Sequence, residues 1–355
     1  MLEDLIARIP EFDEGSATAA RKRQDRLTKP TGSLGRLEEL SVQIAGIKGE
    51  ALPSVEPPAV FVFAADHGVA RNQAVSAYPV EVTAQMVYNF AREGAVITVL
   101  SRQIGARVVV IDVGVASDLP AELPVQHFKV RPGTGDWTCE PAMSKQEAVD
   151  AIEAGARCVF AEAERGVGIA CIGEMGIGNT TTAAALAAAY LGLAPKDLVG
   201  RGTGVDDQGL ERKIEAVRAG LACHADTLQS GDPLVILAAL GGLEIAAMTG
   251  AMLASASIRA PILVDGFISS VAALVAVRLA PAAGPFLIAS HRSVEKGHRL
   301  VLERLCLTPL LDLGMRLGEA SGAALAIPIV RAALAVLKET ATFEEAGVSD
   351  KEALP

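Results

Sequence analysis

Aromatic residues are scarce in this chain: one Trp, three Tyr and nine Phe make up 4% of it. A core built without them must rest on Ala, Val, Leu and Ile. Half of the 355 residues are hydrophobic, enough for one large domain or two. Positive charge is short as well. Against 42 Asp and Glu stand 32 Lys and Arg, and the net charge of −10 argues against nucleic acid or anionic membrane as a partner. The five cysteines (Cys139, Cys158, Cys171, Cys223, Cys306) show no Cys-x-x-Cys spacing. Their odd, dispersed pattern points to reduced thiols in a cytoplasmic protein, with three of them as core filler in apolar runs. No run of 18 apolar residues is free of interruption, so no membrane span is expected. Met1-Leu-Glu-Asp-Leu5 lacks the basic-plus-apolar pattern of a signal segment. A Gly-x-Ser-x-Gly elbow and a Gly-x-Gly-x-x-Gly fingerprint are missing, and no His or Cys lies at ligand spacing from His67. Hydrolase chemistry, dinucleotide binding and a metal are therefore unsupported.

Apolar runs of strand length are present, at Ala59–Ala65, Arg107–Val113, Val167–Ile172, Ile262–Val264 and Pro285–Ala289, with a weaker one at Pro124–Lys129. They are apolar throughout, as parallel strands covered on both faces must be. Helical patterns lie at Val82–Glu93, Gln146–Arg165, Thr182–Leu193, Asp207–Ala225, Pro233–Ser255 and Ile268–Ala280. This alternation predicts an α/β fold, a Rossmann-like doubly wound parallel sheet with helices on both faces. Two helical patterns in residues 1–48 and three in 294–338 suggest a smaller, discontinuous helical domain. The expected division is a core over 51–293 and a small domain from 1–50 and 294–355.

Polar residues follow the strands in series: Asp66-His67, Asp112, Glu174, Asp265-Gly266 and Ser290-His291. Open parallel sheets place their ligand crevice at those ends. The most informative stretch is Gly173-Glu-Met-Gly-Ile-Gly-Asn-Thr-Thr-Thr182, read as a strand end, a glycine loop and a helix start. Bare backbone and a helix N-terminus suit an anion, above all a phosphate. No lysine follows the last glycine, so it is not a P-loop. Glu174 would repel a phosphate and suits sugar hydroxyls better.

Two further clusters stand out. Gly200-Arg-Gly-Thr-Gly204 forms a second backbone nest, followed by a helix carrying Lys213, which either reaches back to a phosphate or is an exposed helix residue behind an Asp206 cap. In Arg316-Leu-Gly-Glu-Ala-Ser-Gly322 a carboxylate, Glu319, sits among small residues. It is either a base with a raised pKa or an exposed acid favourable to a helix start.

Taken in order, Leu27–Glu38, Ala65–Val69, Val82–Met86, Gly173–Thr182, Gly200–Gly204 and Arg316–Ala324 closely resemble the nicotinate-nucleotide–dimethylbenzimidazole phosphoribosyltransferase family of cobalamin biosynthesis. The resemblance runs from Leu27 to Val336, with Thr31 where the family commonly has a second proline. It implies a homodimer that uses small-molecule substrates, nicotinate mononucleotide and a benzimidazole base, with no cofactor and no metal. Matched motif by motif, Glu319 is the catalytic base. Glu174, Gly176, Asn179, Thr180, Thr181, Gly202, Gly204, Lys213 and Ser293 surround the ribose and phosphate, and Gly318 belongs to the substrate site. Gln85, Met175, Leu317 and, more loosely, Tyr78 lie against the flat base. The chemistry needs little else. Nicotinate leaves from an already cationic ring, and the benzimidazole becomes a good nucleophile once its N–H proton is taken. A dehydrogenase on the same sheet would need the missing fingerprint, and a nucleotide sensor would have no use for Glu319.

Overall fold

The computed structural model describes residues 2–349. Met1, and residues 350–355 of the expected small domain, lie outside the described residues. Six parallel strands form the main sheet: β1 Pro58–Ala65, β2 Arg107–Gly114, β3 Gln126–His127, β4 Ile169–Met175, β5 Ile262–Val264 and β6 Leu287–Ala289. Their order is β3-β2-β1-β4-β5-β6, so the direction of winding reverses between β1 and β4. Every residue of β1 is buried. Because successive side chains point to opposite faces, both faces of that strand are covered.

The expected strands are all present, Ile262–Val264 with the same ends and the others with shifted ones. β4 continues three residues beyond the apolar run, so Gly173, Glu174 and Met175 are strand residues and the loop shrinks to Gly176-Ile177-Gly178. The following helix starts early, at Asn179–Leu191. The expected helix Pro233–Ser255 is two, Pro233–Leu240 and Leu243–Ser257, broken at Gly241-Gly242. Residues 1–48 hold three helices, Leu2–Ala7, Glu14–Arg26 and Arg36–Lys48.

The C-terminal part departs most. Instead of three helices, residues 294–338 hold the helix His298–Leu305, the strand β8 Leu311–Met315 and most of the helix Ser321–Glu339. β8 pairs in parallel with β7, His291–Ser293. Ser321–Glu339 is long and apolar enough to cross a membrane by length and composition. It serves here as a core helix: Ala323, Ala324, Ile327, Val330 and Leu337 are fully buried, and it packs on β4, β5 and the helices Val96–Ile104 and Arg36–Lys48. Near it, Leu27 bridges to Thr342 and the Arg23 guanidinium donates to the Leu337 carbonyl at 2.7 Å, tying the two chain ends together. Of the cysteines only Cys158 and Cys171 are buried, two core fillers rather than three; Cys306 ends a helix in the open.

Candidate active site

β1 and β4 are neighbours at the reversal point, and in open parallel sheets the ligand crevice lies outside the carboxyl ends of the strands near such a point. A cavity of about 300 Å³ lies on that side of the sheet, outside the carboxyl ends of β4 and β5. Its walls are Glu174, Met175, Gly176, Ile177, Gly178, Asn179 and Thr180 from β4 and the next helix. Gly202 and Thr203 add a second side, and Val75, Ser76 and the exposed Tyr78 a third. Gly266, Phe267, Ile268, His291, Ser293, Glu295 and Arg316–Glu319 complete it. No side chain caps the helix Asn179–Leu191, whose first residues face this space. Its partial positive charge is thus open to an anion.

Of the expected site residues, the fold brings together Glu319, Glu174, Gly176, Asn179, Thr180, Gly202, Ser293, Gly318, Met175, Leu317 and Tyr78. Four are not on the wall. Gln85 is exposed on the helix Val82–Ala91. Thr181 is fully buried behind its neighbours, its hydroxyl without a partner. Gly204 borders an adjoining depression. Lys213 is neither of the two alternatives in full: it is 1% exposed, just behind the wall, with Nζ 3.3 Å from the Thr180 hydroxyl. Asp206 does cap its helix, accepting from Gly209 N at 2.7 Å.

Glu319 is buried, not exposed at a helix start. Gly318, Glu319 and Ala320 all hold left-handed backbone, with φ of +88°, +62° and +65°. Two of these are not glycine, a costly conformation held only where the surroundings enforce it. The enforcement is visible. A Cβ at Gly173 would overlap Ala320 N, so β4 and this turn touch backbone to backbone. Asp265 Oδ1 accepts from Gly322 N at 2.7 Å and Ala323 N at 3.0 Å, capping the helix that Glu319 cannot cap.

Burial pushes the Glu319 carboxyl up to about 7, and the backbone N–H of Ile97 offsets part of the effect. Its Oε2 has no hydrogen-bond partner. Glu174 is pushed up to about 8, first by burial and then by the charges of Asp265 and Glu244, while Asn179 Nδ2 donates to it and works the other way. A Cβ at Gly318 would collide with Glu174 Oε1, so the two acids flank one glycine. Lys213 is lowered to about 8 by burial, against the stabilising charge of Glu295.

The other strand-end residues mostly fix backbone. Asp112 accepts from Gly114 N and Val115 N, and Asp66 from Ala116 N. His67 sits in a buried chain, with Nε2 2.8 Å from Glu244 Oε1 and Nδ1 3.0 Å from the Thr182 hydroxyl, to which Trp137 Nε1 donates. His291 lies on β7 and His298 begins a helix, so they do not share a helical face. Among the described residues no cluster of three or more His, Cys, Asp or Glu is arranged to hold a metal ion. Sequence reasoning missed Glu295, Thr203 and Phe267 as wall residues and gave Arg316 no role; only their closeness to the named motifs hinted at them.

Known proteins match this chain along nearly its whole length. A family model described as Phosphoribosyltransferase matches residues 9–348. A nicotinate-nucleotide–dimethylbenzimidazole phosphoribosyltransferase of Roseiflexus sp. (strain RS-1) is 54% identical over 99% of both chains. One of Chloroflexus aggregans is 53% identical over the same share. The crystal structure of the protein of that name from Thermus thermophilus is 44% identical and superposes with a TM-score of 0.90, covering 96% of this chain and all of that one.

Proposed function

The chain belongs to the nicotinate-nucleotide–dimethylbenzimidazole phosphoribosyltransferase family, and from that we propose that it moves the 5-phosphoribosyl group of nicotinate mononucleotide to 5,6-dimethylbenzimidazole. The products are α-ribazole 5′-phosphate, for the lower ligand of cobalamin, and nicotinate. The observation that carries this reading is Glu319: a buried carboxylate with one oxygen unpartnered, in the same cavity as an uncapped helix N-terminus.

In this reading the donor's phosphate lies at the start of the helix Asn179–Leu191, against Gly176, Thr180 and Gly202, with the Lys213 ammonium behind them. Glu174, protonated at neutral pH because burial holds it near 8, both donates to and accepts from ribose hydroxyls without repelling the phosphate. The flat base lies against Met175, Leu317 and Tyr78. The Glu319 carboxylate removes the benzimidazole N–H proton as the other ring nitrogen bonds to the anomeric carbon. The bond to nicotinate breaks with its electron pair returning to the pyridine nitrogen, which loses its positive charge and needs no acid. Attack from the opposite face inverts the centre. A positioned base contributes about 10²- to 10⁴-fold, and holding both partners in one small cavity supplies much of the remainder.

The reading extends to a cytoplasmic homodimer. Unpaired cysteines suit a reducing compartment, and the homodimer is what the resemblance to the family implies. Sedimentation velocity tests the dimer. The reaction itself is tested by incubating the protein with nicotinate mononucleotide and dimethylbenzimidazole and measuring nicotinate by chromatography. Base-dependent release is expected; none at high enzyme concentration overturns the assignment.

A further inference from the structure

We propose that Glu295 is a positioning residue for the phosphoribosyl donor: together with Arg316 it clamps the Gly202 peptide at the phosphate end of the cavity. The proposal rests on the reading above that the donor's phosphate lies there.

The Gly200–Gly204 loop needs such a clamp. It has three glycines in five residues, and Arg201, Thr203 and Gly204 are exposed. A chain of that kind has many open conformations of similar energy. Only Gly202 is buried, with φ of +53°. Its N–H donates to Glu295 Oε1 at 3.0 Å, and its carbonyl accepts from Arg316 Nη1 at 3.0 Å. Both polar groups of one peptide residue are thus held by charged side chains from distant parts of the chain. A Cβ at Gly202 would come within 2.6 Å of the Thr180 hydroxyl and 2.8 Å of Lys213 Nζ. The clamp therefore presses the loop directly onto the groups assigned to the phosphate.

Glu295 is itself firmly seated. Its N–H donates to the Ser293 hydroxyl at 3.3 Å, its carbonyl accepts from His298 N at 3.0 Å, and it is only 8% exposed. Its second oxygen, Oε2, is buried with no hydrogen-bond partner. A turn that needed only its own closure would have no reason to bury a carboxylate so far from water. The charge has one evident beneficiary, since Glu295 favours the ammonium form of buried Lys213. The same side chain thus fixes the loop and supports the cation beneath it.

The test compares two donors, nicotinate mononucleotide and the phosphate-free nicotinate riboside, with wild type and variants. Glu295→Ala removes a hydrogen bond to a charged group, and its KM for the mononucleotide should rise about tenfold or more. Its kcat should stay within about twofold, since no interaction special to the transition state is lost. Its loss of kcat/KM should be clearly smaller with the riboside, by about fivefold or more, because that donor has no phosphate for the clamped loop to hold. Glu295→Gln keeps an oxygen for Gly202 N–H but not the charge beside Lys213, and should recover part of the loss in KM, lying between Glu295→Ala and wild type. An unchanged KM in Glu295→Ala, or an equal loss with both donors, overturns the clamp. If circular dichroism shows Glu295→Ala unfolded, Arg316→Ala decides by the same two criteria. Wild type treating both donors alike would instead sink the phosphate assignment, and the clamp with it.

Discussion

Replacing Glu319 by Gln should make the protein more stable and nearly inactive at once. The amide keeps the shape of the side chain and the left-handed backbone at φ +62°, so little repacking is expected. What changes is charge. Burial moves the carboxyl from its ordinary 4.5 to about 7. At about 1.4 kcal/mol per pH unit, the folded state disfavours the ionised form by about 3 kcal/mol. The sign follows from the two pKa values. Below 4.5 both folded and unfolded chains hold the proton and no penalty exists. Between 4.5 and 7 the unfolded chain releases it first, and stability falls as pH rises. Above 7 the loss is complete. Glu319→Gln should therefore exceed wild type by about 1–3 kcal/mol at pH 8, with the gap closing toward pH 4. Urea unfolding at the two pH values measures this, and kcat at saturating substrates should drop by about 10²- to 10⁴-fold. A variant less stable than wild type at pH 8, or one that retains kcat, refutes the argument that this carboxylate is held under strain for proton transfer.

Further outcomes follow from the same geometry. In wild type, kcat should climb with pH up to about 7, where the Glu319 carboxyl gives up its proton; a flat profile from pH 5 to 8 would count against it as the base. Donor affinity should weaken above about pH 8, where Lys213 loses its charge, and Lys213→Met should raise KM while abolishing that alkaline limb. Gly173→Ala places a methyl on Ala320 N and should destabilise by roughly 1–3 kcal/mol or more, read from the urea midpoint; a neutral result would mean that β4 and the Glu319 turn are not in contact. An aromatic disulfide reagent should label Cys139, Cys223 and Cys306 in the native protein, leaving Cys158, pushed up to about 12 by burial, and Cys171 until denaturant is added.

The parallel strands were legible because burial on both faces demands unbroken apolar runs, and such runs stand out in a chain so poor in aromatics. β8 was not. Leu311–Met315 is short, largely exposed and carries Asp312 and Gly314, so no periodicity marks it. The break at Gly241-Gly242 sits inside an apolar stretch where a helix tolerates single glycines. Glu319 was legible as a candidate because its neighbours are small, but its burial comes from β4 and the helix Val96–Ile104, elements far off in sequence. The burial of Lys213, and Glu295 altogether, escaped the sequence for the same reason. Each looks like a solvated charge in its local sequence, and only the meeting of Thr180, Gly202 and the turn after β7 encloses them.

The Asp265 cap carries a consequence for how the enzyme comes to exist. The helix Ser321–Glu339 draws its first-turn partner from the end of β5, 57 residues earlier, and has no side-chain cap of its own. During synthesis the acid-bearing turn emerges after the strand that anchors it. The Glu319 turn is therefore fixed only once the final long helix docks on that strand, and a chain truncated before Ser321 would lose this anchor together with the contacts the helix makes to β4 and β5.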